Sequence, residues 1–579
     1  MADTDEFNAA AWLVDRHVDE GRGDRVAIRC GGRSTTYAEL LAEMWRAQWL
    51  LDDLGVRAGD RVAMVVQDDE TFPALFLGAL RAGAVPIPLS TMLEGTSLAG
   101  IVADCGARVL AISDTFAGVA ADIAAAAPEL LHIVVSGDAT SVAAALGRDI
   151  DVRAWSYANS STRATDTTDN ANTSAASAAD DNANTSAASA ADDDANTSDA
   201  GNVMEAPVAP TTRGSQAFWL YSSGTTGTPK GVMHLHGNLP ATVETYASRV
   251  LDVTPDDRCL SVAKLFFAYG LGNSLTFPFA MGATAILCPS PPTPALMAEL
   301  ITDERPTLFF SSPGFCAAML DANPPPSTFG TVRATVTAGE SLPANVQTRF
   351  AELTGSPVLD GIGSTELLHI FISNSLDEQV PGSSGHVVPG YEAELRDDND
   401  NLVTEPDTPG YLHVRGPSAA TGYWQRPEAT AAAFREGWVR TGDVYNRSAA
   451  GHWTFLGRNN DMIKAGGIWV SPAEVESALI EHESVLEAAV VGARNDQGLE
   501  TVVAFVVTAT GASIDTALLE QHCRNRMAAF KRPRQIHVVD EFPKTATGKI
   551  KRFELRNRLT EANARGRIEA PWRIRQQPS

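Results

Sequence analysis

The sequence predicts an α/β protein: a large N-terminal part of layered βαβ subdomains with a β-rich subdomain, and a small, mobile α+β domain at the C-terminus. Three observations carry this reading. Short β-branched apolar runs alternate with helical stretches through most of the chain, the strands become shorter and turn-punctuated after about residue 385, and a helix followed by two strands closes the sequence. A chain of 579 residues, 44% hydrophobic and 20% charged, can bury several cores, and its composition excludes collagenous, wholly disordered and disulfide-scaffold classes.

The elements follow in order. A helical stretch over Ala38–Leu51 precedes β-rich runs at Arg61–Val66, Ala84–Pro88 and Arg108–Ile112, forming the first part of the N-terminal domain, 1–156. Composition then breaks: between Tyr157 and Val203 there is no Leu, Ile, Phe or Trp, and NANTSAASAADD occurs at 170–181 and again at 182–193, followed by DANTSDA at 194–200. That period is too short for a helical solenoid and offers nothing apolar to stack, so 157–203 reads as a disordered insertion. Patterning resumes with the strand FWLYSS, then ATAILC (283–288), TLFFSS (307–312) and ATVTAG (334–339), within the remainder of that domain, 204–459. Glu392–Arg396, Gly410–Arg415 and Gly451–Leu456 read as the β-rich strands. The final unit, 460–579, has a helix at Ser471–Leu479 and strands at Ala488–Val491 and Val502–Val507.

The net charge of −26 argues against a nucleic-acid partner and against an anionic membrane surface. The N-terminus is acidic where a signal peptide is basic, and no run approaches the ~18 apolar residues of a membrane span, so the expected location is cytoplasmic. Six scattered cysteines lack any CxxC or zinc spacing and read as buried thiols. Lysine is scarce, seven among 45 basic residues, which makes each lysine worth placing. A homodimer is left open.

The first chemical signal is Tyr221-Ser-Ser-Gly-Thr-Thr-Gly-Thr-Pro-Lys-Gly231, a strand running into a loop of glycines, hydroxyls and a lysine. Glycines permit the turns that aim successive N–H groups at an anion, and Ser222, Ser223, Thr225, Thr226 and Lys230 add donors and charge around Gly224 and Gly227. It is not a Walker loop, since Pro229 stands where that motif needs glycine and Gly231 follows the lysine.

The order of these eleven residues resembles the phosphate loop of the adenylate-forming superfamily, which includes acyl- and aryl-CoA synthetases. Further motifs follow in sequence: Gly361-Ile-Gly-Ser-Thr-Glu366, Tyr411–Gly416 with Thr421-Gly-Tyr-Trp424, Thr441-Gly-Asp443, Gly457-Arg458 with Asp461-Met-Ile-Lys464, and Pro543-Lys-Thr-Ala-Thr-Gly-Lys549. The resemblance implies ATP, Mg²⁺ and CoA as cofactor and co-substrates, and two half-reactions. In the first a carboxylate attacks the α-phosphate of ATP. Lys549 would bridge the two anions, Thr365 would donate to the α-phosphate and Glu366 would hold Mg²⁺. Asp443 would accept the ribose hydroxyls with Arg458 nearby, and Gly339, Glu340, Asp360 and Gly361 would frame the adenine. In the second, rotation about Asn460 would withdraw Lys549, and Gly466 and Gly467 would line a tunnel for CoA. Lys531 and Arg532 read either as contacts to CoA phosphates or as solvated surface.

Leu265–Asn273, Gly361–Asn374 and Gly467–Pro472 resemble the corresponding stretches of benzoate-CoA ligases and their hydroxybenzoate and aminobenzoate relatives. This implies an acyl pocket walled by Phe267, Ala268, Tyr269, Gly270, Gly363 and Ile370, whose aromatic faces and small residues suit a small aromatic carboxylic acid. Phe266 reads equally as pocket or core, His369 as a partner for a ring substituent or as a structural histidine, and His234 and His236 as packing residues. The alternatives are a ligase for another small acid, alicyclic or short-chain, and a stand-alone adenylation enzyme that loads a carrier protein.

Overall fold

A computed structural model describes residues 5–146, 150–157, 203–223, 229–465, 468–494, 500–509, 511–544 and 550–564. The repeat segment therefore lies outside the described residues, as do Gly224, Thr225, Thr226, Gly227, Gly466, Gly467 and Lys549.

The core is a nine-stranded sheet ordered His386–Val387, Ile370–Ser373, Val358–Gly363, Ala334–Thr337, Leu308–Ser311, Arg258–Ser261, Thr284–Leu287, Val26–Cys30, Arg33–Thr36. Its central strands run parallel and its edges antiparallel. Strands such as Leu308–Ser311 and Ala334–Thr337 are buried throughout, as expected where helices cover both faces. A second, all-parallel sheet is ordered Val85–Pro88, Arg61–Val65, Val109–Ser113, His132–Ser136, Asp151–Trp155. The β-rich region pairs Glu392–Arg396, Gly410–Arg415, Trp438–Arg447 and Trp453–Arg458 antiparallel. The last of these starts two residues later than its pattern suggests, because Gly451, at φ +92°, belongs to the turn Ser448–His452. The final unit is a three-stranded sheet of Val485–Arg494, Glu500–Thr508 and Gln535–Val539 with the helices Pro472–Ile480, Thr516–Arg526 and Arg552–Ala564.

Both described ends of the repeat segment dock on one helix, Tyr37–Asp53. Arg46 donates to Ser156 O at 3.0 Å and Trp49 Nε1 to Met204 O at 2.8 Å. Gln48 bonds Pro207 O at 2.6 Å, and the buried Arg81, paired with Asp15 at 2.9 Å, donates to Ala206 O. The chain thus leaves and re-enters the fold within about one helical turn. All six cysteines are buried and unpaired. Among the described residues no helix is long and apolar enough to cross a membrane.

Candidate active site

The phosphate-loop motif forms an antiparallel hairpin, with Tyr221 opposite Gly231, Ser222 opposite Lys230 and Ser223 opposite Pro229. Its base is fixed from the side. The Tyr221 hydroxyl donates to Asp104 at 2.7 Å, and Arg426 pairs with the same carboxylate at 2.6 Å. Thr421–Trp424 runs alongside, with Thr421 N and Met233 N donating to Met233 O and Gly422 O and Trp424 N donating to Gly231 O. This backbone pairing puts the Tyr423 ring 5.0 Å from Lys230 Nζ, and the Tyr423 hydroxyl donates to Glu366 Oε1 at 2.9 Å. Burial, reinforced by the Glu366 carboxylate, pushes the Tyr423 phenol far above its ordinary range, so it remains a neutral donor. The sequence reading assigned Thr421–Trp424 only to the β-rich region and missed Tyr423; an aromatic inside a turn-rich motif was the available signal.

Glu366 and Thr365 sit in the single turn Thr365–Leu367, capped by the Ser364 hydroxyl, which accepts from Leu367 N at 3.3 Å. The chain then reverses through Leu368, at φ +64°, into Ile370–Ser373, which pairs back on Val358–Gly363. The reversal explains the glycines: a Cβ at Gly361 would lie 2.9 Å from Ile370 Cγ2, and one at Gly363 would lie 2.6 Å from His369 O. His234 steadies the turn, its Nε2 donating to Thr365 O at 2.9 Å. Burial pushes His234 and His236 down to about 4, so both are neutral. His236 Nδ1 accepts from Ala9 N at 3.1 Å, a structural role.

Asp443 and Arg458, from successive motifs, face each other across paired strands at 3.1 Å. Arg458 also donates to Thr441 O at 3.2 Å. Asn460 is exposed in the turn Asn459–Asp461, and Asp461 pairs with Arg556 of the last helix at 2.8 Å. The residue read as a hinge therefore separates one anchored to Asp443 from one anchored to the C-terminal helix. Glu340, beside Gly339 at φ +96°, lies within the field of Arg552 on that helix.

Asp360 is buried, with its carboxylate accepting from Thr337 at 3.1 Å and Ser384 at 3.4 Å. Burial holds its carboxyl well above the usual range. Those bonds make it a support for the strand that carries Gly361, and an adenine donor would have to share its oxygens with both hydroxyls.

The two stretches assigned to the acyl pocket meet at His369. Its Nε2 lies 3.1 Å from Asn273 Oδ1, and its ring packs on Phe277, Tyr246 and Tyr269 at centroid distances of 4.5, 5.3 and 5.5 Å. Burial pushes the imidazole down to about 3, so it is neutral and donates to Asn273. The space it fills exists because residue 272 is glycine, where a Cβ would fall 2.3 Å from His369 Cδ2. Gly270 is equally constrained, 2.0 Å from Lys264 O. Tyr269 donates to Val336 O at 3.0 Å, Phe267 and Ala268 are half-buried, and Ile370 is buried. Phe266 is buried with its ring 4.4 Å from that of Phe267, which favours core packing.

In the final unit Lys544 pairs with Glu487 at 2.9 Å, and residues 544 and 550 form an antiparallel bridge. Lys531 pairs with Glu474 at 2.5 Å, while Arg532 donates to Met527 O and Arg524 O at 3.0 and 3.1 Å, so each already has a structural partner.

Residues 14–424 match the model of the AMP-binding enzyme family, and residues 474–549 that of the AMP-binding enzyme C-terminal domain. The chain is 39% identical to a benzoate–CoA ligase of Thauera aromatica over 561 residues, 96% of each protein. It is 37% identical to a 4-hydroxybenzoate–CoA/benzoate–CoA ligase of Rhodopseudomonas palustris over 95% of this chain and 94% of that one. A crystal structure of a benzoate CoA ligase from Burkholderia xenovorans LB400 superposes with a TM-score of 0.79 at 35% identity, covering 95% of this chain and all of that one. Matched by that family model over residues 14–424 and 39% identical to a benzoate–CoA ligase over 96% of its length, the chain belongs to the AMP-binding, adenylate-forming enzyme family.

Proposed function

We propose that the protein is an AMP-forming aryl-CoA ligase acting on benzoate or a simple substituted benzoate. A carboxylate oxygen attacks the α-phosphorus of ATP, the bond from that phosphorus to the bridging oxygen breaks, and pyrophosphate leaves. The CoA thiolate then attacks the acyl carbon of the adenylate, forming the thioester and releasing AMP.

The observation that carries the reading is the Lys230–Tyr423–Glu366 contact, which gathers residues of three separate motifs on one side of the phosphate hairpin. Lys230 supplies positive charge to a polyphosphate, and the hairpin holds it in register. Glu366 offers a hard oxygen ligand and fits Mg²⁺. When bound, that ion offsets negative charge on the phosphate oxygens. Asp443 takes the ribose, its orientation held by Arg458. Thr365 and Lys549 stabilise charge at the α-phosphate, and Gly339, Glu340 and Gly361 border the adenine. Flat aromatic and small surfaces at Phe267, Ala268, Tyr269, Gly270, Gly363 and Ile370 receive the ring, and the neutral His369 keeps that wall uncharged, so no cation there recruits a second acidic group. Rotation of 460–579 about Asn460 replaces Lys549 with the CoA tunnel at Gly466 and Gly467. The anchoring of Arg458 and Asp461 to opposite sides of Asn460 supports that pivot.

The test is AMP release across a panel of aromatic, alicyclic and short-chain acids with and without CoA. CoA-dependent turnover of benzoates is expected. Turnover confined to aliphatic acids would remove the aryl assignment, and adenylation without thioester would favour carrier loading.

A further inference from the structure

Three side chains from three segments converge on one point. Glu378 follows the strand Ile370–Ser373 and is held in a turn by Ser375, whose hydroxyl accepts from Glu378 N at 3.1 Å. His386 opens the strand His386–Val387, and His452 ends the turn Ser448–His452. His386 Nε2 is 3.3 Å from Glu378 Oε2, His452 Nε2 is 3.2 Å from Glu378 Oε1, and the imidazole centroids are 4.6 Å apart. One donor atom from each residue lies within 4.8 Å of the other two.

The arrangement is held by backbone, not by the side chains alone. Ser384 N donates to Trp453 O at 2.8 Å, Trp453 N to Gly385 O at 2.9 Å, and the Ser383 hydroxyl to Trp453 O at 2.9 Å. Gly451, at φ +92°, supplies the left-handed turn that leads into His452.

We propose that Glu378, His386 and His452 form a divalent-cation site of the zinc class, closed by water in the fourth position. Ligand bonds of about 2.0–2.2 Å at tetrahedral angles place neighbouring donors roughly 3.4 Å apart; each imidazole already lies at about that distance from one oxygen of the carboxylate, His386 from Oε2 and His452 from Oε1. Ligation requires that the exposed Glu378 carboxylate turn one oxygen toward both imidazoles and that the imidazoles close toward each other from within 4.8 Å. Two nitrogens and one carboxylate select Zn²⁺, Co²⁺ or Ni²⁺ over Mg²⁺, which takes oxygen ligands, so this site does not compete for the ion that accompanies ATP. Occupancy cross-links the 375–386 segment to the hairpin whose strands carry Asp443 and Arg458.

The full chain, stripped with chelator, is titrated with Zn²⁺ by calorimetry and with Co²⁺ by visible absorption, beside His386→Gln and His452→Gln. Saturable binding with a tetrahedral Co²⁺ spectrum is expected, weakened roughly tenfold or more in each variant, and the melting temperature of the wild type should rise with Zn²⁺. Absence of saturable binding, or binding of wild-type strength in both variants, overturns the site and leaves two imidazoles sharing hydrogen bonds to one carboxylate. Circular dichroism and ATP-dependent turnover without Zn²⁺ check that the variants fold.

Discussion

The Tyr423 hydroxyl is bonded to Glu366 Oε1 at 2.9 Å, with the face of the same ring 5.0 Å from Lys230 Nζ. One neutral phenol thus spaces the cation of the phosphate hairpin from the carboxylate read as the Mg²⁺ ligand. Tyr423→Phe keeps the ring and removes the bond. A hydrogen bond to a charged group contributes about 1.5–3 kcal/mol, so adenylation measured by pyrophosphate exchange should fall about 10–100-fold, with the acid KM little changed. An unaltered rate would mean that Glu366 needs no such support.

Gly272→Ala would drive a methyl into the His369 ring, which is packed against Phe277, Tyr246 and Tyr269. Overpacking of a filled core costs about 1–3 kcal/mol. The expected result is a raised KM for benzoate and a lowered melting temperature, with the KM for ATP close to wild type. An equal rise in both KM values would place His369 outside the acyl pocket.

Lys549→Ala should abolish formation of the acyl-adenylate and largely spare thioester formation from a supplied adenylate and CoA. The two half-reactions are assayed separately, and equal loss in both would count against rotation about Asn460.

Asp68 is buried, accepts from Leu265 N at 3.0 Å, and has its carboxyl pushed up to about 7 by burial, against the lowering influence of Lys264. The unfolded chain loses this proton near the ordinary value of about 4. Its contribution is therefore fully present below that value and is lost as pH rises through 7. Asp68→Asn keeps an acceptor without a charge, so its melting temperature relative to wild type should increase from pH 5 to pH 8. A difference independent of pH would show that Asp68 titrates normally.

The two described ends of the repeat segment dock on Arg46 and Trp49 of one helix. Replacing 160–200 by a short Gly/Ser linker should therefore leave turnover and melting temperature near wild type. Loss of activity or of assembly would assign the repeat a partner-binding role.

The α/β class and the contiguous phosphate-loop motif were legible in the sequence, because a strand needs only a local apolar pattern and the residues of that motif are consecutive. Glu392–Arg396 and Gly410–Arg415 have the bounds their patterns predict. What no local pattern carries is which distant segments touch. Sheet order and side-chain burial set those contacts: strand pairing faces Asp443 with Arg458, Tyr423 reaches Glu366 because Thr421–Trp424 adds to the hairpin edge, and Asp360 turns inward to Thr337 and Ser384. The neutrality of His369 and the convergence of Glu378, His386 and His452 are likewise tertiary facts, since desolvation and donor spacing arise only once separate strands pack together.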